Sequence, residues 1–265
     1  LAGRSAFYAS IAPDQPPLAL LVRLGKLLAA ADAGKSLEHP GAPVPDWLQY
    51  LVNDAIHASF KDGNSNKQEL GKERAAWTVD LVAGLLVEEG LDGTLALQLV
   101  FERKGLDSYY HDRLGALVKS SALATYMQAH PDAVKALLQQ LSAAGRVVLA
   151  ARIGTDKELR AAFAPLLVAL AVDGSKTVRA EAVPHIEGIA EADRLRLLAA
   201  LLTEGDTSQR SQAAELLARL PAEATRGLLD AALASESSKP VQQAIRAALN
   251  RIDAAGGAQE QDLPA

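Results

Sequence analysis

Apolar residues recur along this chain at helical spacing, and no stretch shows the period-two alternation of a strand. The pattern also repeats on a longer scale. Leu166-Leu167-Val168-Ala169-Leu170 returns as Leu197-Leu198-Ala199-Ala200-Leu201 and again as Leu228-Leu229-Asp230-Ala231-Ala232, a spacing of 31. A short polar turn and a second apolar, alanine-rich helix follow each run. A fixed period of this size marks stacked helical hairpins, no one of which can bury its apolar face alone.

Before the repeats the pattern predicts helix after helix. A proline pair opens a helix over 17–31, residues 32–45 form a loop with Pro40, Pro43 and Pro45, and Asp46 caps a helix reaching about Phe60. Residues 61–72 are polar and glycine-bearing, the strongest internal loop signal. Helices are then expected at 73–89, 93–104, 108–129, 132–143 and 145–153, with breaks at Gly90, Gly93, Gly105, Pro131 and Gly154. The repeat region predicts helices near 156–172, 176–190, 192–203, 207–219, 221–234 and 239–252. Pro184 falls inside one of these and should bend it, because it removes a backbone hydrogen bond and crowds the preceding turn.

The repeat carries finer marks. Pro165 lies eight residues before Asp173, and Val178-Arg179 follow that aspartate; Glu204 and Arg210 keep the same gap one period later. Over residues 158–252 this resembles the HEAT-repeat superfamily, with a proline in the first helix, an acid in the turn and a Val-Arg pair opening the second helix. The resemblance implies a right-handed all-α solenoid. It also implies a structural ladder in which the turn acids Asp173 and Glu204 pair with arginines of neighbouring repeats, Arg179 and Arg210. Physical chemistry agrees: an acid near a helix N-terminus suits the macrodipole, and the guanidinium fork suits bidentate contact. Ser235 and Val241 hold the corresponding positions in the third copy, so the ladder is expected to end there.

Composition supports an all-helical reading. The chain is 49% hydrophobic but only 4% aromatic, with alanine and leucine dominant. It divides by pattern into an irregular helical portion packed on the solenoid (1–154), the HEAT-like repeats (155–253) and a glycine- and alanine-bearing tail or linker (254–265). The net charge of −5 is spread evenly, which argues against a basic face for nucleic acid. No apolar run approaches the roughly 20 residues needed to span a bilayer. No signal peptide is recognisable, and a cytoplasmic location is expected. Beginning at Leu1, the chain is expected to be part of a larger polypeptide, and its alanine-rich, cysteine-free composition suggests a bacterial source.

Candidate chemistry is thin. Cysteine is absent, so disulfides and thiolate chemistry are excluded. His39, His57, His111, His130 and His185 show no metal-ligand spacing, and His39 and His130 each precede a proline that marks a helix boundary. His111-Asp112 are neighbours that point apart in a helix. No phosphate-binding glycine loop or serine elbow occurs, so no catalytic residue, metal or cofactor is assigned. Trp47, Tyr50, Trp77, Tyr109 and Tyr110 read either as core wedges or as interface anchors.

A surface signal remains. Glu181, Gln212 and Gln243 share the 31-residue register, as do Pro184, Glu215 and Arg246, and Gly188, Arg219 and Asn250. In stacked repeats such rows line one continuous face, which the family resemblance places on the concave side. That face is either plain solvated surface or the binding site for a partner. The expected function is non-catalytic binding of a protein or peptide through Glu181, Gln212, Glu215, Arg219, Gln243 and Arg246. The alternative is a HEAT-like nucleic-acid-binding or base-excision protein, which would need a contiguous basic groove. Oligomeric state is not legible.

Overall fold

The computed structural model describes residues 17–31, 45–48, 51, 78–103 and 117–261. All regular structure among them is helical. The chain divides into two compact units, residues 1–148 and 149–265. All but the last residue of the loop predicted at 32–45, the loop predicted at 61–72, most of the helix predicted after Asp46, and Tyr50, Trp77, Tyr109, Tyr110, His39, His57 and His111 lie outside the described residues.

In the first unit, α1 (Leu18–Ala31) packs against α2 (Val79–Glu88), and α2 packs against α3 (Leu95–Phe101) and α4 (Ser121–Ala129). The next helix, α5 (Pro131–Gln140), contacts α3 and α4. Thr78 starts α2 by accepting from Leu81 N at 3.3 Å, and α2 stops where Gly90 takes the left-handed φ of 75°. Leu21, Leu85, Leu97, Phe101, Leu123 and Met127 are fully buried between these helices, each such side chain contributing about 1.5–3 kcal/mol of transfer free energy. Trp47 is buried against Gly25 of α1, so this tryptophan is a core wedge.

The second unit begins within α6 (Ala143–Thr155) and continues through α7 (Lys157–Ala162). Three consecutive hairpins follow. They are α8 (Ala164–Ala171) with α9 (Lys176–Ile186), α10 (Glu191–Glu204) with α11 (Thr207–Leu217), and α12 (Ala222–Ser235) with α13 (Lys239–Gln261). The first helices lie side by side, α8 on α10 and α10 on α12, while α11 packs closely on α13. Each second helix buries one apolar stripe: Val178, Ala182 and Ile186 in α9, Ala213 and Leu217 in α11, and Val241, Ile245, Ala248 and Ile252 in α13.

Several boundaries differ from the pattern. The helix expected over 108–129 is interrupted at Ser120, whose Oγ accepts from Leu123 N at 3.2 Å and starts α4 afresh. The helix expected over 156–172 divides at Phe163, because Pro165 lacks the N–H that would continue the ladder. Gly154 does not end α6, which runs on to Thr155, where Asp156 caps the next helix through Glu158 N (3.0 Å) and Leu159 N (3.2 Å). Pro184 sits inside α9, leaving the Ala180 carbonyl without its helical donor, and α9 ends at Ile186. Conversely, α13 continues through Gly256 and Gly257 to Gln261, well past residue 252.

Candidate functional site

The turns between first and second helices decide where the polar rows fall. The first two hairpins keep the 31-residue step: Arg179 N donates to Ser175 O at 3.1 Å, and Arg210 N to Asp206 O at 2.9 Å. In the third hairpin the equivalent bond is Gln242 N to Ser238 O at 2.9 Å, so the step is 32. The cause is one additional residue: Gly205-Asp206 join α10 to α11, whereas Glu236-Ser237-Ser238 join α12 to α13. Burial follows the shifted register, since Ala182 and Ala213 correspond to the buried Ile245 and not to Ala244.

This corrects the assignment of the rows. Gln243 and Arg246 are exposed on α13 but do not continue the rows of Gln212 and Glu215, whose counterparts are Ala244 and Ala247. The row of Gly188 and Arg219 continues to the exposed Arg251. Glu181 is half-buried and faces His185 Nε2 at 3.2 Å, one turn along the same helix. Gln212 is half-buried, and Glu215 accepts from Arg219 at 3.2 Å, a surface pair with both side chains about half exposed.

The ladder residues also take definite places. Arg179 turns back on its own turn, donating from Nη1 to Asp173 O (2.7 Å) and Gly174 O (3.1 Å), while the Asp173 carboxylate accepts from Ser175 N (2.7 Å). Glu204 is exposed and takes no ion pair among the described residues. The rung between hairpins is Arg210 to Glu236: Nε to Oε2 at 2.9 Å and Nη2 to Oε1 at 3.4 Å, a two-point contact. Arg210 also donates to Gly205 O at 2.8 Å, and Glu236 accepts from Ser238 N at 2.7 Å. That backbone bond, and then Arg210, hold the Glu236 carboxyl below its ordinary pKa. The ladder therefore does not end before the third copy. Its acid is Glu236, one position after Ser235, and Val241 is a buried core residue. In place of a third arginine, Gln242 donates to Glu236 O at 2.5 Å.

Two clefts of about 330 Å³ each open beside these hairpins. One lies against α8, α10 and the start of α11, lined by Pro165, Leu197, Leu201, Glu204 and Gln209. The other lies between α9, α10 and α11, and its walls are Val183, Ile186, Leu198, Leu216 and Leu220. Here α9 and α11 pack far less extensively than α11 and α13 do. The charged lining of this cleft is Glu187, Arg194 and Arg219. Arg194 went unremarked in the sequence pattern. Its Nε is buried without a hydrogen-bond partner, and its side chain takes no acceptor among the described residues.

Elsewhere the charged groups serve the fold. Arg103 is 3% exposed and donates to Val100 O and Glu102 O, both at 2.8 Å; burial pushes its pKa down to about 10. Glu102 accepts from Ser142 N at 2.8 Å and from Ser142 Oγ, bracing the entrance to α6. His130 sits at the junction of α4 and α5 with its ring 4.3 Å from that of Tyr126. Among the described residues no three His, Asp or Glu side chains gather as a metal site, and no helix is long and apolar enough to cross a membrane. The chain matches no family model, no curated protein and no solved structure.

Proposed function

We propose that this chain is a non-catalytic binding scaffold, a HEAT-like α-solenoid over residues 158–252 that engages a protein or peptide along its second helices. The observation that carries this reading is the serial packing of hairpins, α8 on α10 and α10 on α12, joined at the turns by Arg210 and Glu236. Equivalent positions of successive second helices then form one surface, from Glu181 through Gln212, Glu215 and Arg219 to Arg251, with Gln243 and Arg246 beside it. A ligand along such a surface touches several repeats, so charge reversals at separate repeats weaken it together.

The test is capture of a partner on the full chain followed by cross-link mapping. Cross-links are expected on α9, α11 and α13, and Glu215→Lys and Arg246→Glu should each slow association and change its salt dependence while the thermal midpoint stays put. Cross-links confined to residues before 149, with both variants binding as the parent does, overturn the reading.

A further inference from the structure

The cleft between α9, α10 and α11 narrows the class of partner, resting on the reading of the second-helix surface as a binding face. Its walls are aliphatic: Val183, Ile186, Leu198, Leu216 and Leu220. Its volume of about 330 Å³ stands at the low end of ligand sites, enough for one or two aliphatic side chains and too small for most cofactors. An apolar cleft alone would accept any hydrophobic group. Arg194 makes it selective.

Burial of an arginine Nε without an acceptor costs free energy, and the Arg194 Nε is so placed. Most arginines of this unit have acceptors: Arg179 and Arg210 turn carbonyls, Arg160 the Gly154 carbonyl, Arg226 Asp253, and Arg152 Asp156 through Nη1, although the Arg152 Nε, like that of Arg194, is buried without a hydrogen-bond partner. Arg194 lines the cleft with no acceptor among the described residues, and Glu187 on the same lining makes no ion pair with it. Arg219 is the second cation here, held only by its half-exposed pair with Glu215 and free to exchange partners. A carboxylate placed beside Arg194 gains charge-assisted hydrogen bonds in a partly desolvated setting, where they are worth most. A nucleic-acid backbone would satisfy the arginine but leave the aliphatic walls exposed, and a basic peptide would meet Arg194 and Arg219 head-on.

We infer that this cleft docks a partner-protein segment in which an aliphatic residue neighbours an aspartate or glutamate, the aliphatic side chain entering among Ile186, Leu198 and Leu216 and the carboxylate meeting Arg194. Only Arg194 combines an unmatched donor with the apolar wall, so it determines specificity.

The probe is a displayed library of random peptides selected on the full chain, the consensus peptide then being synthesised with a fluorophore and titrated by anisotropy. An aliphatic–acidic consensus is expected. Arg194→Gln should weaken it about tenfold or more, Arg194→Lys less, and Arg226→Gln, which removes a charge away from the cleft, not at all. Because Arg194 has no partner to orphan, Arg194→Gln should keep the parent's thermal midpoint; if it misfolds, Arg194→Lys and the charge-inverted peptide decide. No consensus, a consensus without an acid, displacement of the peptide by a single-stranded oligonucleotide, or parental affinity in both Arg194 variants overturns the inference. Peptides that cross-link to α9, α11 or α13 yet ignore Arg194 defeat the cleft and leave the surface reading standing. Peptides that cross-link only before residue 149 defeat both.

Discussion

At the scale of single residues, Gly154 has less room for a side chain than the other described glycines of the second unit, because His185 packs against it. A Cβ on Gly154 would lie 2.1 Å from His185 Cγ and 2.3 Å from Cδ2. The obstacle is a ring atom next to the backbone, so it cannot swing away cheaply. Gly154→Ala is expected to destabilise by about 1–3 kcal/mol through overpacking, exceeding the roughly 1 kcal/mol that alanine gains in a helix interior. A urea midpoint that stays level or rises in this variant refutes the steric account. Asp206 makes a more local contribution: its carboxylate accepts from Gln209 N at 2.8 Å while Gln209 Oε1 accepts from Asp206 N at 2.9 Å, a complete capping box. Asp206→Ala should cost about 1 kcal/mol, and Asp206→Asn considerably less, in the same measurement. The pattern along the chain flagged Gly154 as a break because glycine is a poor helix former. Its actual role depends on a histidine 31 residues away, which no local signal contains.

At the scale of elements, the turn before α13 explains both what the repeat revealed and what it hid. Hairpin number, helix order and the apolar stripes follow from periodicity, since burial enforces the 3.6-residue spacing. A single added residue in Glu236-Ser237-Ser238 leaves that local periodicity intact, so the first helix of the third copy stays at 31 while the second moves to 32. The ladder acid thereby passes from the position of Ser235 to Glu236. The rung has a pH signature. Glu236 has a folded-state pKa lowered from its ordinary 4.5, first by Ser238 N–H and then by Arg210. A depressed carboxyl stabilises the fold above its unfolded-state pKa and loses that contribution as pH falls through the folded value. Glu236→Gln should therefore unfold at lower urea than the parent at pH 7, and the two should converge as the solution is acidified below about pH 4.5. A difference that is the same at pH 7 and pH 3 would show that Glu236 acts without its charge.

At the scale of the molecule, the legible and illegible parts separate by the range of the interactions that define them. Hairpins of the second unit are made by neighbours in sequence, and their pattern is readable. The cleft at Arg194 is walled by three helices, with α9 loosely packed on α11, a tertiary arrangement that leaves no mark on spacing. The sites of the first unit are equally non-local, such as Glu102 reaching Ser142 across 40 residues. Serial packing also has an energetic consequence. Each hairpin of a stack exchanges stabilisation only with the hairpins beside it, so damage at one end should decay along the row. Ile245 is fully buried in α13, and α13 packs on α11 and α12. Ile245→Ala should cost about 2–5 kcal/mol locally. Native-state hydrogen exchange is then expected to quicken most in α12 and α13, less in α11, and scarcely in α8 and α9. Val178→Ala, at a fully buried position of α9, should produce the reverse gradient. Equal acceleration across α8 to α13 in both variants would mean that the three hairpins open as one cooperative block. The serial stack, and the proposal that a partner reads it repeat by repeat, would then lose its energetic basis.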